Sequence, residues 1–408
     1  MKPQNRKKIL HETVLPKNIV QSWEKTLIEF ARIRGLKKDE ASHTEKLQHV
    51  LKAEKANVKK LWEAFTTERD QLPRYLLDPK KQTAAYLLGF HLPNAARMWN
   101  LLYRFGRDHS LDSHFQETST NCEIVDIGCG TGAMSQTLIQ YLNDKKVHSI
   151  KSIIADKSPR FLETATSAIK HTGKENIEVQ SIKSSITSAL MGQIKASLSE
   201  NSFRFIILGY VWNELAQNQK ARAALQEFLT QQAEHRTMVL IVEPANQFIA
   251  RDAMELRDEL VFSGYNALYP CGHNHQCPML KREKDWCFSD TTWKTPGLVT
   301  KLNQSTKINQ QQLRYSGYVF ASERFTKDLK VDRIEGAVPV VGKPSIKDAA
   351  QGFEYLVCEG EKLAKYPTDG LGDRILNRGQ KLHTAKIKND KPAKSSPFKQ
   401  KKIQRSKR

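Results

Sequence analysis

Residues 1–105 carry apolar positions at a spacing near 3.6. Around Trp23, Leu27, Ile28, Phe30 and Ala31 that spacing predicts a helix. A long, highly charged helical segment from about Glu40 to Leu72 follows, with Leu47, Leu51, Val58, Leu61 and Phe65 along one stripe. A third helical region runs over 84–90, is broken at Pro93, and resumes over 96–103. The tryptophan and leucine stripes read as core rather than as ligand contacts, and the chain shows no internal repeat.

From Cys122 the pattern changes to short apolar strands alternating with helices. Strands are expected at 123–127, 152–155, 177–182, 203–209 and 238–243, with helices at 134–142 and 161–169. Such alternation predicts a mostly parallel, doubly wound sheet. After Pro244 it degrades into a loop of cysteines, histidines and prolines, then short strand-like pieces at 314–321 and 353–357. The expected division is therefore a helical unit over 1–105, a Rossmann unit over 106–262, a cysteine-bearing, β-rich part over 263–383, and a disordered basic tail over 384–408.

Composition narrows the partners. With 408 residues and 39% hydrophobic content the chain can hold two or three domains. No run approaches the roughly 18 apolar residues of a membrane span. The basic start, Met1-Lys-Pro-Gln-Asn-Arg-Lys-Lys-Ile-Leu, lacks a signal-peptide core. Glu12 and Pro16 interrupt it early, which favours a bacterial cytoplasm over a mitochondrial matrix as the expected location. In a reducing compartment, six cysteines point to metal or redox chemistry rather than disulfides. The net charge of +21, from 65 Lys+Arg against 44 Asp+Glu, favours a polyanionic partner. Eight lysines and two arginines against Asp390 alone make the tail a candidate RNA-contacting arm, the alternative being a solubilising one.

The Asp126-Ile-Gly-Cys-Gly-Thr-Gly132 turn lies between a strand and a helix, where glycines let backbone N–H groups approach a ligand. Asp126, Gly128, Gly130 and Gly132 match the acidic-x-G-x-G-x-G loop of class I methyltransferases, which use S-adenosylmethionine (SAM). Ala133 also completes a dinucleotide pattern, so NAD and an empty inherited loop stay open. Asp156, closing the next strand, is placed for two ribose hydroxyls. Cys129 reads as packing. Asn213 and Glu214, after the fourth strand, are weak catalytic candidates, since capping and a first-turn acid explain them equally well.

Cys271 and Cys277 are spaced C-x5-C in a turn-rich loop, followed by Cys287 and, 71 positions on, Cys358. Four thiolates can hold a zinc ion or an iron–sulfur cluster, and His273 or His275 could replace one around zinc. Unliganded buried cysteines are the third option.

These segments together resemble the methyltransferase-like proteins of the mitochondrial small ribosomal subunit and their bacterial relatives. The resemblance spans roughly residues 80 to 380. It rests on Ala84-Ala-Tyr-Leu, the glycine turn, Val242-Glu243-Pro244, Pro270-Cys-Gly-His, Cys277-Pro, Asp285-Trp-Cys287, Tyr315-Ser-Gly-Tyr318 and Leu356-Val-Cys358-Glu-Gly360. It implies a SAM-type Rossmann domain, and a 4Fe-4S cluster on Cys271, Cys277, Cys287 and Cys358. It also implies a role in assembling the small ribosomal subunit through its RNA and proteins, the chain being a monomer when off the ribosome. Phe288 stands where the family has histidine, and Leu371-Gly372-Asp373 where it has Trp-Gly-Asp. The family carries no obvious catalytic signature. An active rRNA methyltransferase with structural zinc, and a non-catalytic structural protein, are the alternatives.

Overall fold

The computed structural model describes residues 12–31, 41–66, 79–108, 121–173, 175–328, 337–342, 345–348, 352–368 and 376–383. The expected basic tail at 384–408, the basic start, Leu371-Gly372-Asp373 and the end of the expected second helix at 67–72 lie outside the described residues.

A nine-stranded sheet organises the chain. Its strands are β1 (Glu12–Thr13), β2 (Asn121–Ile127), β3 (Ser149–Asp156), β4 (Ile177–Lys183), β5 (Phe203–Gly209), β6 (Thr237–Pro244), β7 (Tyr265–Tyr269), β8 (Ser289–Trp293) and β9 (Gln312–Ser322). The order is β1-β8-β9-β6-β5-β2-β3-β4, with β7 also paired to β9. The run β4-β3-β2-β5-β6 is parallel. Strand β9 is antiparallel to β6, β7 and β8. The parallel, doubly wound core is the one the alternation predicts, and the whole is the class I methyltransferase-like Rossmann architecture that the glycine loop and the resemblance imply.

The helices are α1 (Lys17–Phe30), α2 (His43–Thr66), α3 (Pro79–Tyr86), α4 (Leu92–Asp108), α5 (Ala133–Asp144), α6 (Pro159–Lys170), α7 (Ser188–Ser197), α8 (Val211–Glu214), α9 (Gln219–Gln232), α10 (Gln247–Phe262) and α11 (Gly297–Thr306). The central strands are buried on both faces, so they read as continuous apolar runs. Alternate side chains feed two cores. Phe205 and Ile207 of β5 join Leu138 of α5 on one face. Ile206 and Leu208 join Leu225 of α9 and Met254 of α10 on the other. A third core holds Trp23, Leu27, Val58, Leu61 and Leu88 against Trp293 and Leu302, so the N-terminal helices pack on β8 and α11.

The expected break at Pro93 does not occur. A π-helical turn at Leu87–His91 joins α3 to α4, and the chain remains helical through the proline. The reason is a substitute donor. Proline lacks an N–H for the carbonyl four residues back, Gly89, and Gln310 Nε2 donates to that oxygen at 2.6 Å instead. Trp23 Nε1 likewise donates to Leu87 O at 2.8 Å.

The expected strand piece at 314–321 lies within β9, an 11-residue strand between β6 and β7. Ser316 and Gly317 interrupt its apolar run, which made it look short. At Gly317 a Cβ would sit 2.5 Å from the Tyr315 ring and 3.3 Å from Leu101, so the tyrosine ring, and less tightly α4, leave room only for glycine. The sheet therefore continues beyond residue 262. Further on, β10 (Ala337–Pro339), β11 (Ser345–Asp348), β12 (Gly352–Glu359), β13 (Lys362–Thr368) and β14 (Lys381–His383) form two small sheets, β11-β12-β13 and β10-β14.

Candidate functional site

Strand β2 pairs with β3 on one side and β5 on the other, and the chain's strand order reverses there. A crevice opens at the carboxyl ends of these strands, where open α/β sheets bind ligands. Asp126, Gly128, Cys129, Gly130, Thr131, Gly209 and Tyr210 line it, with Tyr86 and Asn94 from the N-terminal helices and Met134 from α5. All three loop glycines have positive φ: 71° at Gly128, 51° at Gly130 and 75° at Gly132. Their surroundings differ. A Cβ on Gly128 would meet Val211 at 2.7 Å and one on Gly132 would meet Ala165 at 2.8 Å. One on Gly130 would meet nothing within 4 Å, so that residue faces the open crevice.

The loop holds its shape through its own backbone. Gly128 N and Cys129 N donate to Ala155 O at 2.8 and 3.0 Å, and Gly132 N donates to Cys129 O at 2.9 Å. Asp156 accepts from Gly130 N at 3.0 Å on one oxygen and from Ser158 N at 2.8 Å on the other. The carboxylate expected at a ribose thus also ties the loop to β3, keeping lone pairs for a ligand. Asp126 is buried and accepts from Ser135 Oγ of α5. Burial pushes its carboxyl up to about 7, with the Ser135 bonds opposing. At the start of α5, Gly132 provides no side-chain cap, which leaves first-turn N–H groups for an anion.

The expected catalytic candidates are not among the crevice-lining residues; they follow Tyr210, which is, and differ in state. Asn213 Nδ2 donates at 2.7 Å to both Tyr210 O and Glu243 Oε2, so it holds the turn after β5 in place. Glu243 also accepts from Trp212 N at 2.8 Å. Burial pushes the Glu243 carboxyl up to about 8, against these bonds. Glu214 is exposed. Dense protein around its carboxyl nevertheless raises it, with Lys157 opposing and Asp156 reinforcing. The solvent exposure limits that push.

Several contributors carry no sequence spacing that would reveal them. Tyr86, Asn94 and Tyr210 line the crevice from positions that read as ordinary helix and turn. His91, fully buried in the π turn, donates from Nε2 to Gln136 Oε1 at 2.9 Å and accepts at Nδ1 from Thr131 Oγ1 at 3.0 Å. Burial lowers this imidazole to about 4 and keeps it neutral. Gln136 in turn donates to Ser22 Oγ of α1 at 2.6 Å. A buried polar chain therefore ties α1 and the π turn to the glycine loop.

On the other core, the loop after β7, the segment before β8 and strand β12 bring Cys271, Cys277, Cys287 and Cys358 into one apolar cluster. All six cysteines are free. Burial pushes the thiols of Cys277, Cys287 and Cys358 up, and the charge of neighbouring cysteines adds to each shift. His273 Nε2 stands 3.5 Å from Cys358 Sγ, while His275 faces Glu361 at 3.3 Å. Among the described residues, no group of three or more His, Cys, Asp or Glu side chains is arranged to hold a metal ion. The donor chemistry nonetheless suits a thiophilic metal: four sulfurs in one apolar enclosure. Tyr318 Oη is buried without a hydrogen-bond partner, beside Cys287, Cys277 and Cys271. Among the described residues no helix is long and apolar enough to cross a membrane.

Solved structures with related folds include a Listeria monocytogenes protein assigned as a class I SAM-dependent methyltransferase. It is 13% identical, with TM-score 0.35, over 75% of this chain and 88% of that one. The magnesium protoporphyrin IX methyltransferase of Synechocystis, solved with SAM, is 11% identical, with TM-score 0.32, over 66% and 97%. A precorrin-6y C5,15-methyltransferase of Geobacter metallireducens is 11% identical, with TM-score 0.31, over 52% and 86%. Overlays this distant carry no argument; the strand order stands without them. No curated protein matches the sequence. The family model described as mitochondrial small ribosomal subunit Rsm22 matches residues 111–360, a span that includes both the loop and all four clustered cysteines. The chain belongs to the Rsm22 family.

Proposed function

We propose that this is a SAM-binding, methyltransferase-like protein that acts on or with the small ribosomal subunit and contacts its RNA. The observation that carries the reading is the glycine loop: three left-handed glycines, one facing open space, at the sheet's switch point. Gly128, Gly130 and Gly132 let the backbone approach the ligand, and the first turn of α5 receives its carboxylate. Asp156 takes the ribose hydroxyls while anchoring Gly130, and Asp126 fixes the loop against α5. Bound there, SAM supplies a sulfonium methyl. Transfer of such a group depends mainly on alignment. The family's description supports the ribosomal partner and is consistent with the mitochondrial alternative for location. The charge of +21 supports contact with RNA. Residues 1–105 then serve as a helical platform, 106–262 as the cofactor domain, and 263–383 as the cysteine-bearing part that shares its sheet. The protein acts as a monomer when off the ribosome.

The four cysteines are proposed to hold a 4Fe-4S cluster, with zinc as the alternative. Their shared cluster and the orphaned Tyr318 hydroxyl support the site. Asn213, already engaged by Glu243 and Tyr210 O, is poorly free to orient a nucleophile. That favours assembly or SAM sensing over methyl transfer.

Iron, zinc and acid-labile sulfide per chain, measured on protein purified without oxygen, test the metal part. About four irons and four sulfides, lost in Cys277→Ser, are expected. One zinc without sulfide would move the weight to an rRNA methyltransferase with a structural metal. RNA contact is tested by binding to small-subunit RNA across salt concentrations. A steep log–log decline is expected, and a flat one would remove RNA from the reading.

A further inference from the structure

Arg257 of α10 is fully buried, where a guanidinium loses several kcal/mol of hydration unless it meets negative charge. Two of its hydrogen bonds enter the cysteine loop and one goes to its helix neighbour. Nη2 donates to His273 O at 2.5 Å, and Nη1 donates to His275 O at 2.6 Å and to Asp258 Oδ1 at 2.6 Å. The next residue, Asp258, accepts the Cys277 N–H on both oxygens at 3.1 Å. Two consecutive residues of one helix therefore grip the loop between Cys271 and Cys277 by its carbonyls and its amide.

The guanidinium is also within electrostatic reach of all four clustered cysteines. Its carboxylate partner Asp258 is 24% exposed and is bound to the Cys277 amide as well, so it compensates a buried cation only in part. Tyr318 of β9 packs in the same cluster as the four cysteines, and its hydroxyl is buried without a hydrogen-bond partner. A buried hydroxyl left unpaired carries a desolvation penalty. Both anomalies have the same remedy. Zn2+ with four thiolates and an oxidised 4Fe-4S cluster with four thiolates each carry a charge of two minus, and each offers sulfur as an acceptor.

We infer that Arg257 and Tyr318 are positioning residues of a metal centre on Cys271, Cys277, Cys287 and Cys358: Arg257 sets the ligand loop and offsets the centre's negative charge, and Tyr318 donates its O–H to a centre sulfur. The inference rests on the reading that these cysteines hold metal. It does not depend on which metal is bound.

The test uses the full-length protein purified without oxygen, as wild type, Arg257→Lys, Arg257→Met and Tyr318→Phe. Metal content, the rate of metal loss to EDTA and, for an iron–sulfur form, the midpoint potential are measured. Arg257→Met should release metal at least about tenfold faster, the scale expected for groups that orient metal ligands. Arg257→Lys should recover part of the retention. Tyr318→Phe should leave the thermal midpoint almost unchanged. It should lower the potential of an iron–sulfur centre, or speed the loss of zinc. Should wild type hold metal while Tyr318→Phe and Arg257→Lys match it in potential and release rate, the inference is wrong and the cysteine reading survives. A wild type without metal removes both.

Discussion

The glycine loop and the cysteine cluster are built from opposite materials. The loop is made of backbone: its amides bond to Ala155 O and Asp156, and its shape is set before any ligand arrives. The cysteine cluster is made of side chains from separate segments, and burial opposes ionisation of its thiols. Its thiols share one apolar cluster. A site made of backbone is preorganised by local turns. A site made of thiols becomes favourable only when a cation stabilises the thiolates. The first is therefore expected to depend on glycine stereochemistry, the second on ligand charge.

The largest effect that would break this contrast is at Gly132. Valine there meets Ala165 and must hold a φ of 75°, so unfolding in urea should show a loss of about 3 kcal/mol or more. A stability equal to wild type would mean that the loop is not rigid. Next, Cys358→Ser should strip the metal from the protein while SAM affinity, measured by calorimetry, stays within about threefold of wild type. Parallel loss of both would make the two regions one site. Replacing Asp156 with alanine removes an anchor of Gly130 and a ribose acceptor, so SAM affinity should fall about tenfold, roughly 1.4 kcal/mol. Unchanged affinity would remove Asp156 from the site.

Glu243 gives a smaller, pH-dependent effect. Its folded carboxyl is raised from 4.5 to about 8 by burial. Between those values the folded state holds a proton that the unfolded state has lost. Its contribution is therefore complete below pH 4.5 and is lost as pH rises through about 8. The melting temperature should decline over that window less steeply in Glu243→Gln than in wild type. Identical slopes would show that the residue is ionised without cost.

Much of the loop was legible because glycine is required wherever φ is positive and a neighbour is close. The central strands were legible because burial on both faces leaves a plain apolar signature. Other features depend on partners far away in sequence. Pro93 continues its helix because Gln310 supplies the missing donor. Strand β9 pairs with β6, β7 and β8, partners that its own residues do not reveal. Tyr86 and Asn94 reach the crevice only once the N-terminal helices have packed. Arg257 carries no sequence signal of its own, and its two carbonyl partners come from the loop between Cys271 and Cys277.

The most direct measurement compares Gly130→Ala with Gly173→Ala by SAM titration calorimetry and thermal melting. Both glycines have positive φ, 51° and 69°, and a Cβ at either meets nothing within 4 Å. The strain on the fold should be similar, about 1 kcal/mol, giving similar drops in melting temperature. Only at Gly130 does the added methyl enter the crevice. SAM affinity is expected to fall at least about tenfold in Gly130→Ala and to match wild type in Gly173→Ala. Equal affinity in both variants, or a wild type that binds no SAM, would contradict a cofactor site at the glycine loop.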